Sequence, residues 1–107
     1  MSREPEKDWE RLVPHILHQL RSYSEWTIEA YGRPSGPYAK QMTPETVRQS
    51  PAYQVLTPEQ TLSLAQRLGR HSVLYLNPLL AGVAPAFARR MLDLYEREVH
   101  PYLAELR

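Results

Sequence analysis

Apolar positions recur at three- and four-residue spacing in two stretches of this chain, one near each end. In the first, Trp9, Leu12, Val13, Ile16, Leu17, Leu20, Tyr23 and Thr27 share one helical face, which predicts a helix from about Glu6 to Tyr31. Pro14 lies inside this stripe and has no N–H for the carbonyl of Glu10, so a kink or a break is expected near Val13. In the second stretch, Ala88, Met91, Leu92, Tyr95, Val99, Tyr102 and Leu103 mark the inward face of a helix from about Pro85 to Leu106. Pro101 is placed to bend that helix or end it early.

The middle of the chain reads as shorter elements. Gly32-Arg33-Pro34-Ser35-Gly36-Pro37 ends the first helix and opens a loop. Thr43-Pro44-Glu45 supplies a cap and a first-turn proline, and Ser50-Pro51 limits the helix begun there to about two turns. Tyr53-Gln54-Val55-Leu56 is short and β-prone. Directly after it, Thr57 can cap a helix, Pro58 suits its first turn, and Gln60 completes a capping box. Leu62, Ala65 and Leu68 stripe this helix, and Gly69 is a natural left-handed stop. Ser72-Val73-Leu74-Tyr75-Leu76 is apolar at successive positions, the pattern of a strand covered on both faces. Pairing of Tyr53–Leu56 with Val73–Leu76 would make a small βαβ unit with a right-handed crossover. The expected fold is therefore mainly α with a small βαβ element, a single small domain over residues 1–107. Within it, 1–31 form a long helix, 32–52 a loop with a short helix, and 53–107 a βαβα segment.

Composition narrows the function classes. A chain of 107 residues has room for one modest core, burying roughly two thirds of its surface on folding. Thirteen Lys and Arg against twelve Asp and Glu, with no long block of either sign, give no basic stripe for nucleic acid or an anionic membrane. There is no cysteine, hence no disulfide, thiolate nucleophile or Cys-based zinc site. Residues 1–8 contain no apolar h-region, and a cytoplasmic location is the expectation.

Four pieces, in order, resemble the end of a known family. Asp8-Trp9 through Pro14-His15-x-x-His18 with Ser22-Tyr23-x-x-Trp26 is similar to a late helix of the luciferase-like, flavin-dependent monooxygenases. Tyr53-x-Val55-x-Thr57-Pro58-Glu59 also resembles that family. So do Leu76-Asn77-Pro78-Leu79-Leu80-Ala81-Gly82-x-x-Pro85 and the helix ending Glu98-Val99-His100-Pro101, which look like its last strand and last helix. The resemblance spans roughly Asp8 to Leu103, with one departure: Asn77 stands where the family pattern has a histidine before Pro78. It implies the last segment of a (β/α)8 barrel, too short to close one, since such a barrel takes about 250 residues. It also implies an oxidoreductase ancestry with FMN or a related flavin as cofactor. The phosphate-binding and principal active-site parts of the family have no counterpart here, so no cofactor and no catalysis are expected of the chain alone.

The residues carry little chemistry of their own. His15 and His18 are three apart on one helix, but a metal needs a further ligand and the H-E-x-x-H spacing is absent. Tyr23 and Trp26 can either line a pocket for a flat ligand or bury against a neighbouring element. Asn77, at the carboxyl end of the expected strand, suits a polar ligand contact or a turn before Pro78. Gly82 alone makes no phosphate cradle, and no serine has a His and acid in support. Arg89-Arg90 and the pair Arg67 and Arg70 read as solvated helix faces. What stands out is unpaired apolar surface: a strand edge at Val73–Leu76 and two long stripes. A homodimer or a companion barrel fragment is the expected partner, either in a barrel-derived protein or in a stand-alone helical interaction module.

Overall fold

The structure, a computed structural model, describes residues 1–36 and 42–106. Among the described residues five α-helices succeed one another: α1 Pro5–Tyr31, α2 Pro44–Gln49, α3 Pro58–Leu68, α4 Pro85–Glu98 and α5 His100–Leu103, with a closing 3-10 turn at Ala104–Leu106. Each of the five has a proline in its first turn, where the missing N–H would have had no intrahelical partner. Thr57 and Gln60 form the reciprocal capping box expected at the start of α3. At α2, Thr43 does the same with the hydroxyl of Thr46. The expected loop over 32–52 falls partly, at 37–41, outside the described residues.

Of the kink or break expected near Val13, the break does not occur: α1 runs unbroken through Pro14. Both Pro14 and Glu10 are exposed, so water can reach the carbonyl that the proline leaves without its usual donor. Pro101 acts as anticipated. The last helix stops at Glu98, and Val99 takes a non-helical conformation (φ −124°, ψ −53°) before the chain turns into α5. Val99 is nevertheless fully buried.

The βαβ element is not there: among the described residues no strand forms. Tyr53–Leu56 and Ser72–Asn77 both lack regular secondary structure, and no ladder joins them. The chain's first residues explain part of this. The N–H of Ser2 donates to the carbonyl of Leu56 at 2.8 Å, and Ser2 itself is buried. A strap of Met1 and Ser2 thus uses a carbonyl that a neighbouring strand would have needed. The expected 53–107 segment is accordingly α3, an unpaired irregular run, then α4 and α5.

The core gathers Trp9, Ile16 and Leu17 of α1 with Val47 of α2, Val55 and Leu80; Leu12, Val13, Leu20, Tyr53 and Val83 pack around it. Ala88 and Leu94 of α4 are buried beside Val99. Leu92 and Tyr102, expected inward, are exposed, whereas Leu94 takes a buried place the periodicity did not assign to it. The first half of α1 is well covered, but its second half carries exposed Tyr23, Trp26, Ile28 and Tyr31. The molecule is long, 49 × 31 × 22 Å. Its radius of gyration is 15.6 Å, against about 13 Å for a compact chain of this length.

Candidate functional site

The segment Ser72–Asn77 connects α3 to the turn before α4. Its upstream end is fixed: Ser72 N–H donates to the carbonyl of Gly69 at 3.3 Å, and its hydroxyl to the carbonyl of Leu68 at 3.0 Å. Gly69 adopts φ +76°, a conformation that a side chain resists, and its N–H closes α3 on Ala65. Downstream, Leu80 enters the core, and Ala81–Gly82 are hooked to α1. The Nδ1–H of His15 donates to the carbonyl of Ala81 at 2.8 Å, since a carbonyl can only accept. Gly82 has φ +81°, and a Cβ there would lie 3.1 Å from His15 Nδ1.

Between these anchors, burial alternates. Leu74 and Leu76 are half-buried, while Val73 and Tyr75 are 88% and 86% exposed. This is the period of a β-strand, one face inward and one outward. From Val73 to Asn77, no backbone N–H or carbonyl bonds to another backbone group among the described residues. Beside the segment runs a groove of about 590 Å³, bordered by Ala65 and Leu68 of α3, by Leu74 and Leu76, and by Tyr95 and Leu103 of the last helices. Across the break at Val99, the Tyr95 hydroxyl and His100 Nδ1 approach to 3.2 Å.

Of the residues singled out by sequence, Tyr23 and Trp26 meet each other edge to face, with ring centroids 5.0 Å apart. Trp26 is 57% exposed, so the pair is not buried against a neighbouring element, and it lines none of the described cavities. Asn77 is exposed, makes no hydrogen bond among the described residues and lines none of those cavities either. His15 serves the turn at Ala81, His18 is exposed, and no cluster of metal-ligating side chains forms among the described residues. The link from His15 to Ala81 was missed because its partners lie far apart in sequence; the adjacent Gly82 was its only local sign. No helix among the described residues is long and apolar enough to cross a membrane.

Comparison with protein-family models, with curated proteins and with solved structures found no match.

Proposed function

We propose that this chain is an interaction module rather than a catalyst, and that it pairs with a second copy of itself through Ser72–Asn77. The observation that carries the reading is the anchored segment whose burial alternates residue by residue, whose backbone groups make no backbone bond from Val73 to Asn77 among the described residues, and whose outer side chains stand in solvent. Such an edge is a template for another strand. A twofold antiparallel register centred on Leu74 sets Val73 of each chain opposite the partner's Tyr75. β-Branched and aromatic side chains facing one another are among the favourable cross-strand pairs. The pairing is isologous and closes at two chains. Total exposure supports a missing partner: the chain presents 7908 Å², where a compact monomer of 12.5 kDa presents about 6,200 Å². That surplus exceeds the roughly 800 Å² per partner of a standard interface.

The test is the molar mass by sedimentation equilibrium across a concentration series, for the native chain and for Val73→Lys/Tyr75→Lys. Both positions are almost fully exposed, so the substitutions leave the fold intact while opposing like charges across the pairing. A native dimer dissociating on dilution, with a monomeric variant, is the expected result. A native monomer at every concentration contradicts self-pairing. The resemblance of Leu76–Pro85 to a barrel's last strand and turn favours a second reading, in which a companion chain carrying further strands covers the same edge. That chain would then bind the native protein and not the variant.

A further inference from the structure

Charge is distributed unevenly in a molecule that is nearly neutral as a whole. A cleft of about 460 Å³ between the start of α1 and one face of α4 is lined by five cationic side chains, Arg3, Lys7, Arg11, Arg90 and Arg97, while the chain's net charge is only +1. Two carboxylates, Glu4 and Asp8, also line it, and both are engaged. Asp8 is mostly buried and accepts from the hydroxyl of Ser2. Glu4 lies 3.7 Å from Lys7. Arg3 is paired with Glu98 outside the lining.

Two guanidinium groups, those of Arg11 and Arg97, have no carboxylate partner among the described residues, and that of Arg90 has only a long one. Arg11 makes no ion pair among the described residues. Among the described residues Arg97 is held through its Nε alone, which donates to the carbonyl of Asp93 at 3.3 Å. Arg90 reaches Asp8 only at 4.0 Å and is set over the ring of Phe87, 5.1 Å from its centroid. Guanidinium groups present planar forks of donors matched to oxyanions, and here three from two helices line one cleft. Apolar side chains, Phe87, Met91 and Leu94, line it as well, together with Met1 and Ser2. The volume falls within the range of small-ligand sites.

We propose that the α1–α4 cleft binds a dianionic phosphate head group carried on an apolar body, with Arg11, Arg90 and Arg97 holding the phosphate and Phe87, Met91 and Leu94 the body. This site is independent of the Ser72–Asn77 edge. Either a soluble phosphomonoester or a phosphatidic-acid head group presents the chemistry. The test monitors the full chain by heteronuclear NMR with phenyl phosphate, inorganic phosphate and phenol, and by co-sedimentation with phosphatidylcholine vesicles with and without phosphatidic acid. It compares the native chain with Arg90→Gln/Arg97→Gln and with Arg67→Gln/Arg89→Gln, which removes the same charge elsewhere. Binding is expected to be tighter for phenyl phosphate than for inorganic phosphate or phenol. It should weaken at least about tenfold in the cleft variant and stay unchanged in the other. Co-sedimentation dependent on phosphatidic acid and on Arg90 and Arg97 would support the site with a lipid as its source. Absence of binding to both phenyl phosphate and phosphatidic acid, or equal loss in the two variants, would overturn it. Folding of each variant is checked by its amide spectrum, and if Arg90→Gln/Arg97→Gln unfolds, Arg11→Gln alone takes its place under the same expectation.

Discussion

Two apolar segments of similar length and composition meet opposite fates in this protein. Tyr53–Leu56 and Val73–Leu76 each precede a helix, and each reads as a strand. The first is absorbed: Val55 packs in the core with Trp9, Ile16 and Leu17, and the carbonyl of Leu56 accepts from Ser2. The second is held at both ends and left open between, with Val73 and Tyr75 in solvent. What separates them is the surface each one meets. The well-packed half of α1, together with Val47 of α2, lies over the first segment, whereas the second is bordered by the margins of α3, by the broken α4–α5 pair and, across a small cavity, by Met1, Gln54 and Leu56. Apolar composition creates a demand for burial, and the neighbouring elements decide whether it is met within one chain. Leaving Val73 and Tyr75 out forgoes about 1.5–3 kcal/mol for each large side chain, free energy that remains available to a partner.

The sharpest way to break this contrast is to make the same truncation in both segments. Val55→Ala should lower the stability of the dilute monomer by about 2 kcal/mol through lost contacts and a residual cavity. Val73→Ala should change it by less than about 0.5 kcal/mol. Denaturant titrations at low concentration give both values, and equal costs would erase the distinction. Next in size is Gly82→Ala, which attacks the anchor where the open segment returns to the core. The left-handed backbone and the close approach of His15 together predict a loss of about 1–2 kcal/mol, read in the same titration. Thr57→Ala, at the junction of the covered segment and α3, should cost about 1 kcal/mol by removing the hydroxyl that accepts from Gln60 N–H.

The smallest expected effect concerns the strap beside Leu56. Burial strips water from the Met1 ammonium and lowers its pKa from the usual 8.0, with the nearby Asp8 carboxylate opposing the shift. The unfolded chain therefore holds this proton more tightly than the folded one. Stability should rise with pH through the window between the lowered value and 8.0, and be level above it as far as this group is concerned. Thermal melts on either side of that window measure the rise, and N-terminal acetylation should remove it.

Local chemistry was legible in the residues. The start of α3 was evident in Thr57-Pro58-Glu59-Gln60, its end in Gly69, and the limit of α2 in Ser50-Pro51, because each depends on neighbours a few positions away. The disruption at Pro101 was equally visible, whereas of the kink or break that the same rule gives at Pro14 the break does not form. Strand pairing was not legible, because it depends on what lies alongside. The claim of Ser2 on Leu56 crosses more than fifty residues and leaves no periodic trace. Exposure of Tyr23 and Trp26 escaped for the same reason: the stripe continues past Leu20, but the elements covering it do not. The α1–α4 cleft was hidden likewise. Arg90 read as half of a solvated pair until folding set it beside Arg11 and Lys7.

The central claim, that the unpaired backbone of Val73–Asn77 forms a strand pair with a second copy, is tested most directly by amide hydrogen exchange at these residues as protein concentration rises. The account predicts exchange near the unprotected rate in dilute protein, with protection growing alongside the dimer fraction and lost in Val73→Lys/Tyr75→Lys. Exchange at Val73–Asn77 that is independent of concentration, whether fast or slow, would contradict it.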